Sequence, residues 1–174
     1  MPWRSILVIE DMLEQREGLL SLGFWALLIY RFGHARLRIK SRLLRLPWTI
    51  VYMIVNKIGE MLFGIEIGVT ATIGRRLTIE HHGGIVIHGS TVIGDDCMIR
   101  QGVTLGNRSI KEHGDAPTLG NRVQIGAGAK ILGKETIGDG ASIGANAVVL
   151  QDVPAGASAV GVPARIIEHK KADS

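Results

Sequence analysis

The run Ile137-Gly138-Asp139-Gly140-Ala141-Ser142-Ile143-Gly144-Ala145-Asn146-Ala147-Val148-Val149 decides the fold. An apolar residue returns every six positions, a glycine often follows it, and a small residue sits four positions on. The same beat runs from Ile65 to Val153, through Ile67, Ile73 and Ile79, then Ile87, Ile93, Ile99 and Leu105, then Leu119, Ile125 and Ile131. A period of six is neither the 3.6 of a helix nor the 2 of a strand. It marks a β-helix whose chain turns a corner every six residues. The apolar residue of each repeat points inward and stacks on its counterpart in the next coil. Cys97, Val103, Val123, Ala129, Ala141 and Ala147 take the small inward position, and glycines suit the corners.

Composition agrees with a narrow prism. The chain has 174 residues, 46% of them hydrophobic, with 23 glycines and few aromatics. Cys97 is the single cysteine, so no intrachain disulfide forms, and its place in the repeat makes it a packing residue. The first residues lack the arrangement of a secretory signal. These points predict a reduced, cytoplasmic setting.

The beat divides the chain into an N-terminal helical region at 1–63, the β-helix at 64–153 with a loop at 107–118, and a C-terminal tail at 154–174. Apolar clustering predicts helices over Ile6 to Leu20, Phe24 to Leu37 and Pro47 to Phe63, with Pro47 in a first turn. Trp48 to Phe63 is too short to span a bilayer and is interrupted by Asn56, Lys57 and Glu60. From Arg31 to Arg45 there are six Arg or Lys and no acid. That run, with Leu37, Ile39, Leu43 and Leu44, suits peripheral contact with a membrane face. It lacks interleaved aromatics, so nucleic acid is not expected as a partner.

The beat fails twice. The step from Ile79 to Ile87 is eight residues and holds His81-His82-Gly83-Gly84. The step from Leu105 to Leu119 holds the polar segment 107–118. A solenoid accepts extra residues only as outward loops. With coils of three six-residue sides, residue 63 would lie beneath His81 and Glu66 half a side further on. A carboxylate there would fix the imidazole tautomer and raise its basicity, which suits a general base acting on a hydroxyl. A pair of surface turn histidines is the plainer reading, and a His–His metal site lacks further ligands at suitable spacing.

Ile65-Glu66-Ile67, Ile73-Gly74-Arg75-Arg76, Ile79-Glu80-His81, Gly102-Val103-Thr104-Leu105-Gly106-Asn107, Ile125-Gly126-Ala127-Gly128-Ala129-Lys130 and Gly161-Val162-Pro163-Ala164-Arg165 together resemble the serine acetyltransferase family of hexapeptide-repeat acyltransferases. The helical segment, with Gly23-Phe24-Trp25 and Tyr30-Arg31-Phe32-Gly33-His34, is more similar to the colanic-acid and exopolysaccharide branch. The resemblance implies a left-handed parallel β-helix, a homotrimer, acetyl-CoA as co-substrate and no metal. It implies His81 as catalytic base and Glu66 as its supporting acid. Gly106, Asn107, Gly126, Ala127, Lys130, Gly144, Ala145 and Arg165 would meet the donor, and Glu80, His82 and Asp115 the acceptor. Two departures bear on that acceptor. Serine acetyltransferases carry Arg-His before a proline of the central loop, where this chain has Asp115-Ala116 before Pro117, although Arg108, Lys111 or His113 could supply a cation. Glu80 stands where the family usually has Asp. With the short helical region, these departures favour a hydroxyl of a sugar or exopolysaccharide precursor, free or lipid-linked. Serine O-acetylation is the alternative.

Overall fold

The computed structural model describes residues 3–109, 111 and 114–169. Three helices precede the strands: α1 (Trp3–Glu14), α2 (Leu22–Ala35) and α3 (Arg42–Phe63). Then β1 (Ile65–Ile67), β4 (Ile85–Ile87), β7 (Thr104–Gly106), β10 (Lys130–Leu132) and β13 (Val148–Val149) stack as one sheet. A second holds β2 (Thr72–Ile73), β5 (Val92–Ile93), β8 (Thr118–Leu119) and β11 (Thr136–Ile137). The third holds β3 (Thr78–Glu80), β6 (Met98–Arg100), β9 (Gln124–Ile125), β12 (Ser142–Ile143), β14 (Ser158–Val160) and β15 (Arg165–Ile167). Every pairing is parallel except β14 with β15. This is the expected parallel β-helix with an N-terminal helical region.

The repeat residues are the core. Ile79, Ile99, Ile125 and Ile143 stack in register, and each is at most 3% exposed. Cys97, Val103, Val123, Ala129, Ala141 and Ala147 are buried beside such columns. Glycines directly after the repeat residue, such as Gly126 and Gly138, are required by the next coil, not by a special backbone angle. A Cβ on Gly126 would lie 2.6 Å from the amide of Ala145, and one on Gly138 2.4 Å from that of Ala155. The room left at Gly74 and Gly120 lets a side chain of the coil above accept from the corner amide. Asp95 thus takes the Arg75 amide at 2.7 Å and Asp139 takes that of Asn121 at 2.8 Å.

Coil length varies while the register holds. The coil from Thr78 to Met98 takes 20 residues, that from Met98 to Gln124 takes 26, and that from Gln124 to Ser142 takes 18. The two extra residues at 81–84 and the eight at 107–118 leave the prism as outward turns. The 18-residue spacing therefore fails at the first coil. Phe63 does not lie beneath His81, because it ends α3 and the first strand begins at Ile65. At the far end, β14 pairs with β12 beyond Val153, and β15 folds back on β14.

The first coil has no coil beneath it. Leu27 and Tyr30 of α2, both at most 2% exposed, plug the open prism within the same core cluster. Side chains replace the missing strands. Tyr30 donates to the Ala71 carbonyl at 2.6 Å, and Arg31 donates to the Ile73 carbonyl at 2.7 Å and to that of Gly74. The Gln15 amide acts as a strand would, donating to the Leu77 carbonyl at 2.8 Å and accepting from the Ile79 amide at 3.1 Å. Arg31 also pairs with buried Asp11 at 3.0 Å. Burial pushes the Asp11 carboxyl up, and Arg31 opposes that shift.

Two expectations for the helices are corrected. Pro47 lies inside α3, which starts at Arg42. Its missing amide would bond only to Leu43, whose residue is 86% exposed, so water can reach that carbonyl. Arg31 does not belong to a lipid-facing run, since its guanidinium is held by Asp11 and the first coil.

Replacing Gln15 with leucine leaves a buried carbonyl and a buried amide unpaired. Each costs about 1–3 kcal/mol, so urea denaturation followed by circular dichroism should show Gln15→Leu less stable by about 2–6 kcal/mol. Burial pushes the Cys97 thiol up to about 11 from its ordinary 9.0. The folded state keeps the neutral thiol, so this contribution is present below pH 9 and fades as pH rises toward 11. Ellman's reagent should leave native Cys97 unmodified at pH 8 and react with it in urea.

Candidate functional site

The first interruption builds a corner between the third sheet and the first. His81 sits at its start with φ of 62°, and Gly83 and Gly84 follow at 98° and 67°. Left-handed backbone at a non-glycine residue is uncommon and stabilised only by its surroundings. Here Gly64 presses on Gly83, and the Ile85 amide bonds the Gly64 carbonyl at 3.2 Å. The turn therefore bulges outward with both imidazoles exposed.

That bulge forms one wall of a cleft of about 610 Å³. Glu80, His81 and His82 face Arg16, Glu17 and Ser21 across it. The opposite wall is placed by two close contacts. Gly23 of α2 packs so tightly on β3 that a Cβ would lie 2.7 Å from Cβ of Ile79. Ser21 caps α2 by accepting from the Phe24 amide at 3.3 Å. Glu80 is held by Arg100, which donates to it at 2.9 Å. Sequence reasoning did not single out Arg16 and Glu17, since only the packing of α2 onto the first coil brings them opposite His81.

The other expected site residues lie on two different edges. The corner that carries His81 recurs above it in each coil. The Gly102 amide bonds the Gly83 carbonyl, the Gly128 amide that of Gln101, and the Asn146 amide that of Ala127. Gly126, Ala127, Gly144 and Ala145 therefore stack on the His81 edge. Lys130 reaches the same edge, where its ammonium donates to the Gly102 carbonyl and to Thr104 Oγ1 at 3.1 Å. Gly106 ends β7 and Asn107 follows it, so both belong to the next edge. Gly106 differs from the other corner glycines, since a Cβ there would meet only Cβ of His88, at 3.9 Å. Among the described residues, no stacking contact requires its small size. Arg165 lies on β15 opposite Val160. Glu66 is central in β1, beside Val86 and outside the residues that line the cleft. Its charge acts on Lys57 of α3.

The central loop is tied down through its own charges. Arg108 donates to the Leu132 carbonyl at 3.1 Å and also bonds Glu135 and the Leu150 carbonyl. Asp115 pairs with Lys134 at 2.8 Å, and Ala116 is buried. Arg108 is thus engaged in closing the loop, and Asp115 does not line the His81 cleft. Lys111 is exposed. His113 lies outside the described residues.

Comparison with known proteins identifies the chain. Residues 116–151 match the family model of the bacterial transferase hexapeptide, six repeats. Serine acetyltransferase of Helicobacter pylori strain J99 is 46% identical over 149 residues, covering 86% of this chain and 83% of that protein. Serine acetyltransferase of Synechococcus elongatus is 40% identical over 145 residues, covering 83% of this chain and 57% of that protein. Among solved structures, soybean serine acetyltransferase complexed with serine superposes with a TM-score of 0.83 at 32% identity, covering 96% of this chain and 70% of that one. Serine acetyltransferase from Brucella abortus in complex with coenzyme A gives 0.84 at 29% identity, covering 98% of this chain and 70% of that one. These relatives overturn the expected sugar or exopolysaccharide acceptor and give no support to the colanic-acid branch. The short helical region does not separate the two acceptors, because the chain covers most of the Helicobacter enzyme's length. The protein belongs to the serine acetyltransferase family of hexapeptide-repeat acyltransferases.

Proposed function

We propose that the protein transfers the acetyl group of acetyl-CoA to the hydroxyl of L-serine in the cleft beside His81. The observation that carries this reading is the charge pattern of that cleft. Arg16 offers a guanidinium to a carboxylate, and Glu17 offers a carboxylate to an ammonium, with Glu80 held beside it by Arg100. A zwitterionic amino acid needs such a pair in one small space. His81 then faces the side chain between them.

His81 removes the hydroxyl proton as the serine oxygen attacks the thioester carbonyl. The carbon–sulfur bond breaks, and the proton passes from His81 to the departing thiolate. Acetyl-CoA supplies the activated acyl group. Glu66, in the strand that follows the Gly64 corner, is assigned as a positioning residue for His81. The edge above His81, with Ala127 and Ala145, guides the donor arm, and Arg165 attracts its phosphates. Gly106 and Asn107 contribute from a second edge. Two edges of one prism face different directions, so they serve one donor only when two copies meet. This supports a homotrimer with the donor in the groove between neighbours.

A thiol-release assay with acetyl-CoA should show turnover with L-serine and none above background with a panel of sugars and sugar nucleotides; the reverse pattern sinks the proposal. His81→Ala should lower kcat by about 10²- to 10⁴-fold with CoA binding unchanged. Arg16→Ala removes a charge-assisted hydrogen bond of about 1.5–3 kcal/mol. It should raise KM for serine roughly 10- to 100-fold with little change in kcat.

A further inference from the structure

The largest unexplained surface is on α3. One stripe of this helix, with Tyr52 and Gly59 buried and Trp48 and Phe63 half-buried, packs against α2 and the first coil. The remaining arc is apolar and open. Eleven large hydrophobic residues between Leu43 and Leu62 are at least 38% exposed, with Leu43 at 86%, Met61 at 80% and Met53 at 62%. Soluble surfaces scatter such residues singly and do not line a helix with them. The first turn and the segment before it carry exposed Arg38, Lys40 and Arg42. No acid occurs from Arg31 to Gly59, and Glu60 is bonded by Asn56 and Lys57, each at 2.6 Å.

We infer that α3 lies in the plane of an anionic lipid surface, its apolar arc in the acyl boundary and its basic N-terminal end among phosphate headgroups. No helix among the described residues is long and apolar enough to cross a membrane. Packing on α2 also holds α3 flat along one stripe, which leaves in-plane contact as the geometry for lipid. Charge and shape favour lipid over a second copy of this chain. Exposed Lys40 and Arg42 call for an anionic partner, and a second α3 would bring the same cations. A partner helix also covers one stripe, whereas this arc takes in all of α3 that α2 leaves open. Lipid conforms to the whole arc and supplies the missing anions.

The test is co-sedimentation of the full chain with vesicles of phosphatidylcholine alone and of an equal mixture with phosphatidylglycerol. Binding to the mixture should be at least tenfold stronger and should weaken with added salt. Ile54→Glu with Met61→Glu should abolish binding to both vesicle types while the thermal melt stays as in the parent chain. Lys40→Gln with Arg42→Gln should remove roughly thirtyfold of the preference for the anionic mixture, at about 1 kcal/mol per charge. Wild-type protein that stays in the supernatant with both vesicle types overturns the inference. So does a wild-type particle, measured by light scattering without lipid, that Ile54→Glu with Met61→Glu makes smaller, since a second copy then covers the arc. Neither result touches the thiol-release assay, so this inference and the acceptor reading fail separately.

Discussion

A parallel ladder has one free edge at each end, and the molecule depends on how the first of these is closed. Every interior coil bonds its amides and carbonyls to the coils on either side. The first coil has bonds on one side only, and its other side faces the helices. Unpaired buried backbone groups are costly. Gln15, Tyr30 and Arg31 supply donors to its carbonyls, and Gln15 also supplies an acceptor. The helical region is thus part of the ladder's chemistry. The same contacts fix where α2 starts, and with it the wall of the cleft opposite His81.

The site inherits its precision from this arrangement. A corner residue on a solenoid has a firm backbone below and above, here through the bonds from Gly83 to Gly102 and from Gln101 to Gly128. The bulge at 81–84 can therefore place an imidazole outside the prism without loosening it. Charge is also localised. Glu80 is neutralised by Arg100, and Asp115 and Arg108 are each held by partners in the coil above or beside the loop. Arg16 and Glu17 reach the cleft from a separate segment.

Much of this architecture is readable from residue order. The six-residue beat names the inward residues, and both of its failures fall where the chain leaves the prism. Contacts across long separations are not readable that way. Gln15 bonds a strand more than sixty positions away, and its neighbours in sequence give no sign of it. Arg31 looks like one of a row of surface cations until Asp11 and the Ile73 carbonyl are seen around it. Pro47 looks like a first-turn residue because its penalty is ordinarily large, and it falls away here because the affected carbonyl is open to water. The acceptor departs from the sequence reading for a related reason. Asp115 reads in the sequence as a substrate contact, but it answers to Lys134, and its neighbour Ala116 to the core.

The unequal coils of 20, 26 and 18 residues have a consequence for how such a protein changes over time. Inside a strand or helix an insertion shifts the register of the residues that follow it in that element. Here the ladder resumes in register after each excursion, so Ile79, Ile99 and Ile125 stay aligned although the chain between them differs in length. Length mutations at a corner are therefore local events. A lineage can lengthen, shorten or rewrite one turn, and test a new acceptor, while the rest of the stack and the edges that serve the donor go on unchanged.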